Sequence, residues 1–243
     1  NGVPKNKAAV LTDEGYGSHV LKQAKKLGIT TAMPVEKSGQ DVFGFDKGKK
    51  YREQIKRVNP DFVKVLVRYN PVNENDNKLQ RKRLKELDDF LKKEKRKFLF
   101  ELLVPAAGQQ AKSRDYDSVL RPKLMVKAIS ELQDAGINPE IWKVEGVDKS
   151  SDMEDIVRQV KKINRNAVVI VLGRAESEGR IKKWFEAAAK VNGVTGFAVG
   201  RTVFMQPLEL FVKGRIPKNK AISQISSNYM KLARLWEKFK KHQ

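Results

Sequence analysis

The sequence predicts an α/β protein built on a parallel sheet, of the (β/α)8-barrel type. Short β-rich runs alternate with amphipathic helical stretches along the chain, which is the pattern of βα units with parallel strands. The runs carry enough apolar residues for burial on both faces. Polar residues Asp13, Glu36, Lys37, Lys64, Glu101, Lys143, Glu145, Arg174 and Arg201 fall in or near strand ends, where barrels of this class gather their functional groups. Periodicity alone does not separate a closed barrel from a doubly wound sheet; those polar residues favour the barrel. Seven runs are present, one short of eight-stranded closure.

Taken in order, the first run is 8–14, and Asp13-Glu14-Gly-Tyr16-Gly17 has the Asp and Gly of a strand-to-helix turn before a helix at 20–27. The run 30–37 precedes a helix at 51–58, which stops at Asn59-Pro60. After 62–70 comes a basic segment, 78–97, whose Leu79, Leu84, Leu87 and Leu91 keep roughly helical spacing. The run 98–105 leads to a helix at 123–135 ended by Gly136, and 140–146 leads to one at 153–163. The run 168–174 is followed by a helix at 181–191 and a last run at 196–202. Ile222, Ile225, Tyr229, Leu232, Trp236 and Phe239 then step by three and four, one apolar stripe on a long helix that must pack on something.

Length and composition bound the rest. A chain of 243 residues fits a single barrel domain, 1–243. No apolar stretch is long enough to span a bilayer, and Asn1-Gly-Val-Pro-Lys5 lacks a signal peptide's apolar region, so the expectation is a cytoplasmic protein without membrane contact. There is no cysteine for disulfide or thiolate chemistry, and His19 and His242 are too few and too far apart for a histidine-rich metal site; no metal and no cofactor are expected. Fifty Lys+Arg against 29 Asp+Glu give +21, a field that attracts polyanions without specific contacts. Between 78 and 97 there are ten Lys/Arg and four Asp/Glu, read first as a solvated helix face and second as a non-specific nucleic-acid surface. Aromatics on which bases would stack are scarce among these lysines.

The chemistry concentrates in Ile141-Trp142-Lys143-Val144-Glu145-Gly146. Strand side chains alternate, so Lys143 and Glu145 share one face and Trp142 and Val144 the other. A lysine held inside a sheet suits Schiff-base chemistry, because desolvation lowers the ammonium pKa and frees the amine. The competing reading is a structural lysine paired with Glu145 or Glu101. Glu36-Lys37 reads equally as a rim ion pair or a substrate contact, and Arg174, ranked below Arg201, as a solvated loop charge.

Ala9-Val-Leu-Thr-Asp13 with Tyr16-Gly17, Met33-Pro-Val-Glu36-Lys37-Ser-Gly39, Phe98-Leu-Phe-Glu101-Leu-Leu-Val-Pro105, Trp142-Lys143-Val-Glu145-Gly146 and Gly196-Phe-Ala-Val-Gly200-Arg201-Thr occur in one order over nearly the whole chain. Together they resemble the aldolase-like domain found fused behind 5-dehydro-2-deoxygluconokinase in bacterial myo-inositol catabolism, related to class I tagatose-1,6-bisphosphate aldolases. The resemblance implies Schiff-base cleavage of a phosphorylated keto sugar acid, 5-dehydro-2-deoxygluconate 6-phosphate, to dihydroxyacetone phosphate and malonate semialdehyde. It makes Lys143 the imine-forming lysine, Glu101 the proton shuttle with Glu145 as second choice, and Lys64 a lysine facing the same pocket. Arg201 after Gly200 becomes the phosphate-binding arginine. Gly173 lets backbone N–H groups approach the phosphate, with Arg174, Asp13, Glu36 and Lys37 as further substrate contacts.

The family pattern includes an earlier strand with an Asp-His-Arg type rim motif, absent from the sequence after Asn1. The resemblance therefore implies a TIM (β/α)8-type barrel lacking its first βα unit. Bare parallel edges at 8–14 and 196–202 would need cover, so a partner segment or a homo-oligomer contact is expected there.

Overall fold

The apolar runs form seven strands in the computed structural model, which describes residues 2–174 and 176–241. They are β1 (Ala9–Leu11), β2 (Thr30–Pro34), β3 (Phe62–Arg68), β4 (Lys97–Leu103), β5 (Ile141–Glu145), β6 (Val168–Leu172) and β7 (Val194–Ala198). The α-helices are α1 (Glu14–Lys26), α2 (Tyr51–Val58), α3 (Glu74–Lys93), α4 (Arg121–Asp134), α5 (Ser150–Lys161), α6 (Glu178–Ala188), α7 (Arg201–Val212) and α8 (Lys218–Lys240). In the sheet the strands follow chain order from β1 to β7, and the pairings β1–β2, β2–β3, β3–β4 and β6–β7 are parallel. This is the TIM-like α/β fold that the alternation of runs predicts, with seven strands. His242, weighed above as a metal ligand, lies outside the described residues. Among those residues no helix is long and apolar enough to cross a membrane.

Several boundaries differ from the sequence reading. The run at 196–202 is instead β7 at Val194–Ala198, with a register shift between Val169 and Ile170 that sets Ile170 opposite Gly196. Arg201 therefore starts a helix and does not end a strand. That helix, α7, is not apparent in the sequence, because it is apolar on nearly all sides and holds Pro207 in its interior. Leu79 is exposed; α3 buries Leu84, Leu87 and Leu91 with Asn77, Gln80 and Asp88. Ile222 is likewise exposed, and the α8 stripe becomes buried at Leu232 and Trp236.

Contacts gather the described residues into two compact units, 2–142 with 158–167, and 143–157 with 168–241. In the larger unit, Val63, Val65 and Val67 of one β3 face, and Tyr69 just after the strand, are fully buried. The matching face of β4 carries Phe98, Phe100 and Leu102, and Phe100 packs on Trp142 at 5.0 Å between ring centroids. In the smaller unit Phe185 of α6 meets Phe197 of β7 at 4.7 Å and Trp236 of α8 edge-on at 5.1 Å, so α8 is anchored through one aromatic cluster.

Candidate functional site

In the larger unit, strand register builds a three-residue ionic cluster. Lys64 of β3 pairs across with Pro34 of β2 and with Leu99 of β4. Two residues further along each neighbouring chain, on the same face, stand Glu36 and Glu101. Both carboxylates therefore flank the Lys64 ammonium diagonally: Glu36 Oε1 accepts a short hydrogen bond from Nζ, and Glu101 Oε2 lies 2.9 Å away. The three side chains are 7–10% exposed, and the second oxygen of Glu36 is buried with no hydrogen-bond partner among the described residues.

Burial dominates the titration of Glu36 and pushes its carboxyl up, against the opposing pull of the Lys64 charge. For Lys64 burial works downward, but the charges and hydrogen bonds of Glu36 and Glu101 outweigh it and hold the ammonium above its ordinary range. Lys64 is thus a cation and not a free amine. The reading of Glu36-Lys37 as an ion pair is corrected here: alternation sends the two side chains apart, Glu36 to Lys64, while Lys37 is exposed and its backbone N–H donates to the Gly44 carbonyl at 2.9 Å.

In the smaller unit the end of β5 presents Lys143, 7% exposed, and Glu145, 2% exposed. Strand alternation puts Lys143 on the face of β5 opposite its neighbour Trp142. Arg174 Nε lies 3.1 Å from Glu145 Oε1. Arg174 holds a left-handed backbone, φ 48°, directly after Gly173, a conformation that costs a non-glycine residue free energy and persists where the surroundings fix it. Its guanidinium is thus a partner of a buried carboxylate, and not the solvated loop charge of the sequence reading.

Gly146 follows Glu145 where only glycine fits, since a Cβ there would lie 2.2 Å from Trp184 Cδ2. The Trp184 ring is itself pinned, its Nε1–H donating to Asp148 Oδ1 at 3.1 Å.

The loop after β6 lies beside the start of α7: Thr202 Oγ1 donates to the Glu176 carbonyl at 3.4 Å, and a Cβ on Gly173 would sit 3.1 Å from the Val199 methyls. Gly200 is the N-cap of α7, with exposed Arg201 as its first residue. Glycine is not sterically required at 200, since a Cβ there would meet only Phe204 at 3.4 Å. Asp13 caps α1, accepting the Tyr16 N–H at 2.8 Å, which is the turn role its sequence context suggests. Among the described residues no group of three or more His, Cys, Asp or Glu side chains is arranged to hold a metal ion.

Residues 1–240 match the family model described as "Uncharacterized protein conserved in bacteria (DUF2090)". The chain belongs to the DUF2090 family. No curated protein matches the chain. Among solved structures, the Corynebacterium glutamicum (Brevibacterium flavum) protein Cgl0159 is similar at 13% identity and TM-score 0.55, over 83% of this chain and 63% of that one. A fructose-bisphosphate aldolase from Slackia heliotrinireducens is similar at 10% identity and TM-score 0.58, over 92% of this DUF2090 chain and 74% of that one. At such identities the likeness is one of fold. The DUF2090 chain spans less than two thirds of the length of Cgl0159.

Proposed function

We propose that this DUF2090 chain is a class I, Schiff-base aldolase that cleaves a phosphorylated keto sugar acid, with 5-dehydro-2-deoxygluconate 6-phosphate as the compound its motifs favour. The observation that carries the reading is Lys143, nearly buried on the side of β5 away from Trp142, two residues before a buried Glu145 held by Arg174. A TIM-like fold shared with a protein named fructose-bisphosphate aldolase supports it at the level of architecture.

In this reading the Lys143 amine, once it has given up its proton, attacks the substrate ketone, and uptake of one proton lets water leave to form an iminium. The carbon–carbon bond then breaks as its electron pair flows to the iminium nitrogen, giving an enamine, while a carboxylate takes the hydroxyl proton of the departing aldehyde. Protonation of the enamine carbon and hydrolysis return the amine and release the ketone product. Glu145, two residues from Lys143 on the same strand face, is the carboxylate the geometry of this unit supports, with Arg174 orienting it. Glu101 is the alternative proton carrier on the strength of the motif resemblance; in its own unit it is paired to Lys64. For the phosphate, the first N–H groups of α7 after Gly200, backbone at Gly173 and the Arg201 guanidinium supply donors of the right charge.

Borohydride reduction in the presence of dihydroxyacetone phosphate tests this directly. The expected result is a covalent adduct on Lys143 that disappears in Lys143→Ala and survives in Lys64→Met. An adduct of equal yield in Lys143→Ala, or none in the parent chain, removes the Schiff-base mechanism.

The net charge of +21 supports a second reading, a basic barrel scaffold that binds nucleic acid or another polyanion. Tight, salt-sensitive RNA or DNA binding with no trapped adduct would favour it.

A further inference from the structure

Helix α7 has two apolar faces, and the unit to which it belongs uses one of them. Val203 and Pro207 are buried. On the other side Phe204, Met205, Leu208, Phe211 and Val212 are 36–74% exposed. At about 100° per residue these five side chains form one continuous arc about 120° wide. A contiguous apolar patch of that kind is often a functional contact surface.

The occupant is constrained by charge. The 243 residues carry 50 Lys+Arg and a net +21, yet α7 contains one base, Arg201, and one acid, Glu209. An acidic or polyanionic partner would be recognised by several basic residues, and α7 has one, Arg201, in its first turn. Two identical copies, by contrast, repel each other wherever lysines face lysines, so a self-contact is favoured on the stretch from Phe204 to Val212, where Glu209 is the one charged residue. A helix arc meeting its own copy across a two-fold axis is also self-complementary in shape and polarity: the ridge Phe204, Leu208, Phe211 of one helix enters the groove of the other.

We propose that the exposed arc of α7 is a homodimer contact, in which α7 of one chain packs antiparallel on α7 of a second copy. The five side chains expose about 400 Å² of apolar surface. Two copies bury roughly twice that, below the size of a standard stable interface. The dimer is therefore weak, populated at micromolar to hundreds of micromolar chain, and opposed by charge repulsion between the two bodies. Its signature is tightening with ionic strength, the reverse of a charge-driven complex.

Sedimentation equilibrium over that concentration range, at low and high sodium chloride, reads this out. The expected mass climbs toward twice that of one chain, and the dissociation constant falls about tenfold or more between low and high salt. Leu208→Glu, which places a charge inside the arc at an already exposed position, should hold the chain as a monomer with unchanged circular dichroism. Gln206→Glu, outside the arc, should leave association as it was. A single-chain mass throughout, association that weakens with salt, or a dimer indifferent to Leu208→Glu each overturns the proposal. Binding of α7 to a different protein while the chain alone stays monomeric also counts against it.

Discussion

At Lys64 two buried carboxylates share one ammonium, and the energetics of that arrangement are asymmetric. Breaking such a cluster by removing the shared cation strands uncompensated charge in a low-dielectric site. Lys64→Met should therefore lower stability at neutral pH by roughly 3–5 kcal/mol, with the loss shrinking in acid as the carboxylates protonate. Glu36 adds a pH dependence of its own. Its folded pKa lies above the ordinary 4.5 because burial disfavours the charged form, so the folded chain holds that proton more tightly than the unfolded one. The sign follows from linkage: the Glu36 contribution is most favourable below 4.5 and is lost as pH rises through the higher folded value. For Lys64, also raised, the contribution is complete below 10.5 and is lost as pH passes through the folded value above it. Glu36→Gln, with no proton to lose, should flatten the decline in the acid range. Urea midpoints measured at half-unit steps from pH 4 to 7 check this, and parallel curves for parent and variant would contradict it.

At the scale of elements, the end of β5 is set by one glycine and one indole. Trp184 of α6 is 1% exposed and hydrogen-bonded to Asp148, so it cannot swing away from a methyl group that Gly146→Ala would place 2.2 Å from its ring. That variant should lose roughly 1–3 kcal/mol by overpacking. Combining it with Trp184→Leu should cost less than the sum of the two single changes; additive losses would mean that the contact does not carry the effect. The same strand shows what sequence can and cannot reveal. The two-residue period that sets Lys143 and Glu145 against Trp142 and Val144 is local, and it appears in the fold unchanged. So does α2, Tyr51–Val58, because Asn59, at φ 52°, and Pro60 stop it. Partners across strands are another matter. Alternation assigns Glu36 a face, but only the β2–β3 register, fixed by packing of the whole sheet, brings it to Lys64. Arg174, which pairs with Glu145, has a left-handed backbone that a run of apolar residues does not signal. Helix α7 escaped because its two apolar faces erase the periodicity by which a helix is recognised.

At the scale of the whole molecule, the excess of 21 positive charges competes with the ion pairs that salt also screens, and the balance fixes the sign of a simple measurement. Several of those ion pairs are at the surface: Arg52–Glu86, Lys85–Asp89, Lys213–Glu209 and Lys231–Glu178 each join side chains 42% or more exposed. Such pairs contribute about 0–1 kcal/mol apiece. The buried Lys64 cluster is screened far less than exposed charge. Uncompensated lysines repel one another over distances that the Debye length controls, about 30 Å at 0.01 M salt and about 8 Å at 0.15 M. Shortening that range removes much of the repulsion while costing the surface pairs little. Thermal unfolding of this DUF2090 chain should therefore move to higher temperature between 0.01 and 0.15 M sodium chloride, measured at a dilution where the α7 contact is unpopulated. A midpoint that falls over the same range would mean that attractive pairs outweigh the net charge in holding the fold.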